Sequence, residues 1–177
     1  FLEKIGLLGY ENTFSVNKSE VINTSNNSEI LFRGIKTSAG NQTGNLKSLM
    51  GINTFILDEA EELVDETIFD TIDLSIREKT TQNRVVLILN PTTKEHWIYK
   101  RFFEQRGVEA GFNGVKDNIC YIHTNYLDNK DNLSTSFLER VEDIKHNNFK
   151  KYNHSILGSW LAKAEGVVFE NWSIGEF

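Results

Sequence analysis

The chain has little of several things that would narrow its class, and each shortage excludes something. One cysteine, Cys120, in 177 residues leaves neither an internal disulfide framework nor a thiolate metal cluster. No apolar run approaches the ~20 residues needed to span a bilayer as a helix. A formal net charge of -6 gives no global electrostatic reason for nucleic-acid binding. A glycine-rich phosphate loop is also missing. Gly44-Asn45-Leu46-Lys47-Ser48 imitates one, but Leu46 stands where the pattern needs Gly, and Asn41 fills the first Gly position. The first residues, Phe1-Leu2-Glu3-Lys4-Ile5, carry no initiator Met and no signal-like region, and suggest a sequence entered partway through.

What is present is ordinary core material. With 12 Phe, 5 Tyr and 3 Trp, the chain is rich enough in aromatics to argue against general disorder, and long enough for one substantial core. Leu2, Ile5 and Leu8 suggest the tail of a helix ended by Gly9. Short strands are expected near residues 19–22 and at Ile30-Leu31-Phe32, followed by a long polar loop from Gly34 to Gly51. Thr54-Phe55-Ile56-Leu57 is a continuous apolar run that reads as a strand covered on both faces. Asp65 is placed to cap a helix whose Ile68, Phe69, Ile72 and Ile76 share one stripe.

Val85-Val86-Leu87-Ile88-Leu89 is a second buried strand, ended by Asn90-Pro91. A helix over residues 95–105 is followed by a third sheet strand at Ile119-Cys120-Tyr121-Ile122-His123. Ser136 and Glu139 have capping-box spacing for a helix with Leu138, Val141 and Ile144. Residues 149–158 are helical in pattern up to Gly158, and Val167-Val168-Phe169 reads as a closing strand. Strands and helices alternate from about residue 54, which favours a three-layer α/β unit.

Asp58 and Glu59 are the strongest chemical signal. Carboxylates that follow a buried strand lie at the C-terminal edge of a parallel sheet, where open α/β folds bind ligands. In a nucleotide-hydrolysing site Asp58 would hold Mg²⁺, a cation that prefers hard oxygen ligands, and Glu59 would orient or deprotonate the attacking water. Acids also suit a first helical turn, so the residues alone leave both readings open. Glu61, Glu62, Asp65 and Glu66 read as a solvated acidic edge. Asn90 leaves the second strand as Asp58 leaves the first. It can bond a phosphate or water, or merely hold an Asn-Pro turn.

Ordered blocks then carry a resemblance. Ile30-Leu31-Phe32-Arg33-Gly34, Leu46-Lys47-Ser48-Leu49-Met50-Gly51 and Thr54-Phe55-Ile56-Leu57-Asp58-Glu59-Ala60-Glu61-Glu62 come first. Leu87-Ile88-Leu89-Asn90-Pro91, His96-Trp97-Ile98-Tyr99-Lys100-Arg101-Phe102 and His123-Thr124-Asn125-Tyr126-Leu127-Asp128-Asn129 follow. Leu157-Gly158-Ser159-Trp160 and Glu165-Gly166-Val167-Val168-Phe169-Glu170-Asn171-Trp172 complete the set. Together they resemble the large terminase subunit of tailed bacteriophages and prophages, in which an N-terminal ATPase drives DNA into the procapsid and a C-terminal nuclease cuts it.

The resemblance implies an α/β fold: a partial P-loop NTPase-like parallel sheet flanked by helices, lacking the strand and loop of the Walker A motif. It implies that residues 1–172 are the C-terminal part of the ATPase domain and residues 173–177 the start of a linker toward the nuclease. By resemblance Asp58 is the Walker B magnesium ligand, Glu59 the catalytic glutamate, and Asn90-Pro91-Thr92 the coupling motif. Thr92, Arg33 and Lys47 join Asp58 as nucleotide-binding candidates. Arg33, Lys36 and Lys47 lie where the family carries basic residues, and neither Arg33 nor Arg77 is assigned as its trans-acting arginine. ATP and Mg²⁺ are implied for the parent protein. Its implied partners are double-stranded DNA, the portal protein, the small terminase subunit and other large-subunit copies, in the host bacterial cytoplasm and away from membranes. Where the missing strand leaves the sheet uncovered, either a neighbouring chain, by self-association, or an altered sheet is expected to cover the gap.

Two other classes compete. One is a DNA- or protein-interaction module using Lys94, Lys100, Arg101 and Arg106; the other is a folded prophage remnant. His96, His123, His146 and His154 are too dispersed to imply a zinc site.

The missing phosphate loop has a measurable consequence. Loss of one positioned group from a transition-state clamp costs roughly 3–4 kcal/mol, and here a whole amide cradle and its lysine are missing. Calorimetry of this 177-residue chain with Mg-ATP is therefore expected to show negligible binding. Micromolar affinity centred on Asp58 would mean that the phosphates are held in some other way.

Overall fold

The computed structural model describes residues 2–34 and 51–162. The loop residues 35–50 (with Lys36 and Lys47) and residues 163–177 (with the expected strand at 167–169 and the boundary at 172) lie outside the described residues. The chain divides into two units, Phe1–Gly44 and Asn45–Phe177.

In the first unit, helix α1 (Leu2–Leu7) stops where Gly9 turns to φ 70°, and the Tyr10 N–H closes onto the Ile5 carbonyl at 3.1 Å. An antiparallel meander follows: β1 (Phe14–Val16), β2 (Glu20–Asn23) and β3 (Glu29–Leu31). Its first turn is organised by Asn17, whose Oδ1 accepts from the Ser19 and Glu20 amides at 2.9 and 3.0 Å. Val21, on the central strand, is buried.

The second unit is built around two parallel strands, β4 (Thr54–Leu57) and β5 (Arg84–Leu87), with Thr54 opposite Arg84 and Leu57 opposite Leu87. Both alternate in exposure: Phe55, Leu57, Val85 and Leu87 are half-buried, whereas Ile56, Val86 and Ile88 are 58%, 38% and 51% exposed. The expectation of strands covered on both faces is thus corrected: among the described residues one face of this pair is partly open to solvent. The second strand also ends at Leu87, two residues earlier than its apolar run.

Helix α2 (Glu66–Asp73) begins at Asp65, whose side chain accepts from the Thr67 amide at 2.9 Å. It buries Phe69 and Ile72. It stops before Ile76, so Arg77 lies beyond the helix rather than on it. Helix α3 (Trp97–Tyr99) runs on into a π-helical turn (Lys100–Glu104), with Gln105 N–H donating to the Lys100 carbonyl. Phe69 and Trp97 stack with centroids 4.8 Å apart, and the Trp97 indole donates to the Leu63 carbonyl. Arg101 reaches back from α3 to Glu66 at 2.9 Å and Asp70 at 2.6 Å, with its guanidinium over the Phe69 ring.

Residues 119–123 do not add a third strand to the parallel sheet. Instead β6 (Gly114–Lys116) and β7 (Ile119–Tyr121) form an antiparallel hairpin. The reason is local: Lys116 pairs with Ile119 across only Asp117 and Asn118, and Asp117 takes φ 55°. Tyr121 ties the hairpin to α3 by donating to the Phe102 carbonyl at 2.6 Å and packing against Phe103.

Helix α4 (Thr135–Asn147) is capped by Ser134, which accepts from the Phe137 amide at 3.3 Å. The expected cap, Ser136, sits inside the first turn with its hydroxyl bonded to that of Ser134. Helix α5 (Phe149–Lys151) continues through a π-helical turn (Tyr152–Ile156) to Gly158 at φ 70°. A Cβ at Gly158 would come within 3.1 Å of the His123 ring. Glycine there answers both the left-handed backbone and the close approach.

Arg101 therefore joins α2 to α3. Arg101→Ala is expected to lower stability by about 1–2 kcal/mol, between an exposed ion pair and a buried charged hydrogen bond. Arg101→Lys should recover only part of this, because an ammonium can pair with the acids but loses the planar guanidinium face that lies over the Phe69 and Phe102 rings. Trp97→Ala should cost more, roughly 3–5 kcal/mol. Urea denaturation of the three variants checks the ranking, and an Arg101→Lys protein as stable as wild type would refute the clamp.

Candidate functional site at the strand exits

Pairing between the two parallel strands does not stop with the strands. The Ile88 amide donates to the Leu57 carbonyl at 2.9 Å, and the Ile88 carbonyl accepts from the Ala60 amide at 2.9 Å. To bring the Ala60 amide there, Glu59 adopts φ 54°, ψ 46°, left-handed backbone that a non-glycine residue occupies at a cost. Ala60 is fully buried at the start of a 3₁₀ turn (Ala60–Glu62). Asp58 and Glu59 are exposed at this edge, and the Asp58 carboxylate accepts from the Glu59 amide at 3.2 Å.

Asn90 leaves β5 at the same edge. Its side chain does not close the Asn-Pro turn; its Nδ2 donates to Glu61 Oε1 at 3.0 Å. Glu61 is thus not part of a solvated acidic rim. It is half-buried, and its second oxygen is buried without a protein partner among the described residues. The Thr92 hydroxyl is likewise buried and unpartnered, while the Thr92 carbonyl accepts from the Leu161 amide at 2.8 Å. The sequence offers no signal that distinguishes Glu61 from Glu62 or Glu66, because only the 3₁₀ turn decides which acid faces Asn90.

His96 completes the cluster. Its Nδ1 accepts from the Ile98 amide at 3.2 Å, so it caps α3, and Nε2 lies 3.1 Å from the Glu61 carbonyl. That pattern calls for a neutral ring with its proton on Nε2. Burial pushes the His96 pKa below its ordinary 6.5, and the Glu61 carbonyl and charge only partly oppose this.

The remaining candidates are placed as follows. Arg33 donates to the Phe32 and Ser19 carbonyls at 2.8 and 3.3 Å, within the first unit. Of the four cations offered for DNA, three are engaged and Lys100 is exposed. Arg101 is held by Glu66 and Asp70, Arg106 lies 3.3 Å from Asp117, and Lys94 sits over the Tyr99 ring. Each of the four histidine rings bonds a backbone carbonyl. Among the described residues no group of three or more His, Cys, Asp or Glu forms a metal cage. No helix among them is long and apolar enough to cross a membrane.

Comparison with known proteins agrees with this architecture. A family model described as the phage terminase large subunit matches residues 1–159. The large terminase subunit of Bacillus phage SPP1 is 37% identical over 87 residues, which is 49% of this chain and 18% of that protein. Among solved structures, the large terminase of a thermophilic bacteriophage superposes with a TM-score of 0.64 at 13% identity, over 90% of this chain and 37% of that one. The same terminase in complex with ADP gives 0.57 at 16% identity, over 90% and 36%. At these identities the structural matches show a shared fold, and the chain spans well under two thirds of each relative.

The protonation state of His96 has a testable sign. The unfolded chain takes up the proton first as pH falls, since its His96 titrates near 6.5 and the folded ring lower. Stability contributed by His96 is therefore complete above the unfolded value and is lost as pH falls from there toward the lowered folded value. Urea melts between about pH 7.5 and about pH 5.5 should show wild type losing more stability than His96→Gln. Parallel profiles would remove His96 from the cluster.

Proposed function

We propose that this chain, which belongs to the phage terminase large-subunit family, carries the acidic half of the ATPase site with which that subunit drives viral DNA into the procapsid. Residues 1–172 are read as the C-terminal part of the ATPase domain and residues 173–177 as the start of its linker. The observation that carries the reading is the shared edge. Asp58 and Asn90 leave neighbouring parallel strands that stay hydrogen-bonded through Ile88, at the end of the sheet where α/β folds take ligands.

The residues there fit Mg²⁺. Asp58 offers an exposed hard oxygen donor, and Mg²⁺ in nucleotide sites uses one or two carboxylates with phosphate and water rather than a protein cage. Bound with ATP, the ion would offset charge on the phosphates. Asp58 is the proposed ligand, direct or through water. Glu59, exposed and held in a strained backbone beside it, orients the attacking water or takes its proton. Asn90, Pro91 and Thr92 form the coupling turn. Thr92, whose buried hydroxyl lacks a partner among the described residues, and the cations Arg33 and Lys47 are proposed to serve the nucleotide. The described strand exits present carboxylates and amides but no lysine or arginine, so contacts to the phosphates themselves are proposed to come from other segments.

Double-stranded DNA, the portal protein, the small subunit and further large-subunit copies are the proposed partners, in the cytoplasm of the host bacterium. The rival reading as a DNA-interaction module loses support from the engagement of Arg101, Arg106 and Lys94 with acids and a ring.

In a large subunit that also carries the phosphate loop, Glu59→Gln is expected to reduce ATP turnover roughly 10²–10⁴-fold while largely sparing nucleotide binding. Steady-state ATPase assays with parallel binding titrations check this. Near-normal turnover would remove Glu59 from its catalytic role.

A further inference from the structure

The geometry points to Glu61 as a positioning residue that latches the coupling turn to the Walker B turn and to helix α3. This rests on the reading of Asp58, Glu59 and Asn90 as an ATPase site, and adds a residue to which that reading gives no role.

Three observations converge on it. First, Glu61 Oε1 holds the Asn90 amide at 3.0 Å across 29 residues of sequence. A carboxylate can only accept, so it must be the NH₂ group of Asn90 that faces Glu61. The Asn90 carbonyl oxygen and its second N–H are thereby oriented away from Glu61 and left for water or phosphate. Second, Glu61 lies in the 3₁₀ turn that starts directly after Glu59, so tension on its side chain acts on the turn that sets the Glu59 backbone. Third, the Glu61 carbonyl bonds the His96 ring, and that ring caps α3 through the Ile98 amide. Asn90, Glu61, His96 and the start of α3 form one continuous hydrogen-bonded chain. A displacement of Asn90 on gain or loss of a phosphate contact is passed along it to α3.

The role needs an acceptor at Oε1 and not a negative charge, which separates it from metal binding and from general base catalysis. In the full-length large subunit assayed with Mg-ATP, Glu61→Gln keeps the acceptor and should retain kcat within about threefold of wild type. Glu61→Leu and Asn90→Ala should each lower kcat about tenfold or more, with KM nearly unchanged. The double variant should be no worse than the worse single variant, because both remove the same contact. Glu61→Asp, whose carboxylate falls short of Asn90, should behave as Glu61→Leu, and serves in its place if the leucine protein does not fold. Glu61→Gln as damaged as Glu61→Leu, or additive losses in the double variant, would overturn the latch. Glu59→Gln run alongside tells the two failures apart. If it stays active the ATPase assignment fails; if it is inactive while Glu61→Leu is normal, only the latch fails.

Discussion

The parallel pairing of β4 and β5, and above all its extension through Ile88, is the constraint on which the site depends. Two backbone hydrogen bonds, to the Leu57 carbonyl and from the Ala60 amide, carry the register past the last paired residues. They bring Asp58, Glu59 and Asn90 to one edge and force Glu59 into left-handed backbone. A contact made only by side chains would leave that edge soft. Backbone pairing makes it stiff, and a fixed pair of strand exits is what positioned chemistry needs.

Around that pairing, the apolar groups divide unevenly. Phe69, Trp97 and Phe102 form an aromatic cluster between α2 and α3, bordered by the Arg101 clamp. Tyr99, Phe103, Trp160 and Tyr121 link α3 to the hairpin and to the segment after α5. By contrast Ile56, Val86 and Ile88 lie open on one sheet face. Open apolar surface of this kind in a paired sheet marks a place for another layer.

Much of this was readable from local chemistry. The Thr54-Phe55-Ile56-Leu57 run, the Asp65 cap and the glycines at 9 and 158 stand where the pattern puts them, and the Val85-Val86-Leu87-Ile88-Leu89 run forms a strand that stops at Leu87. The common edge of Asp58 and Asn90 followed from two strands ending alike. What escaped depends on partners distant in sequence or on small competitions. Ile119-Cys120-Tyr121 has a strand pattern whether it joins a parallel sheet or a hairpin, and only the two-residue turn at Asp117 decides. Ser134 and Ser136 are both good caps, and the earlier one wins. The length of β4 and β5 says nothing about which face is covered. Glu61 is indistinguishable from its acidic neighbours until the 3₁₀ turn points it at Asn90.

The central claim is that the exits of β4 and β5 form the metal-nucleotide site. It is tested most directly by an anomalous difference map from crystals of a large subunit with an intact phosphate loop, grown with ADP and Mn²⁺ in place of Mg²⁺. The account predicts one strong metal peak against the Asp58 carboxylate, with Glu59 and Asn90 facing the same side. A peak remote from the C-terminal edge of these two strands would contradict it.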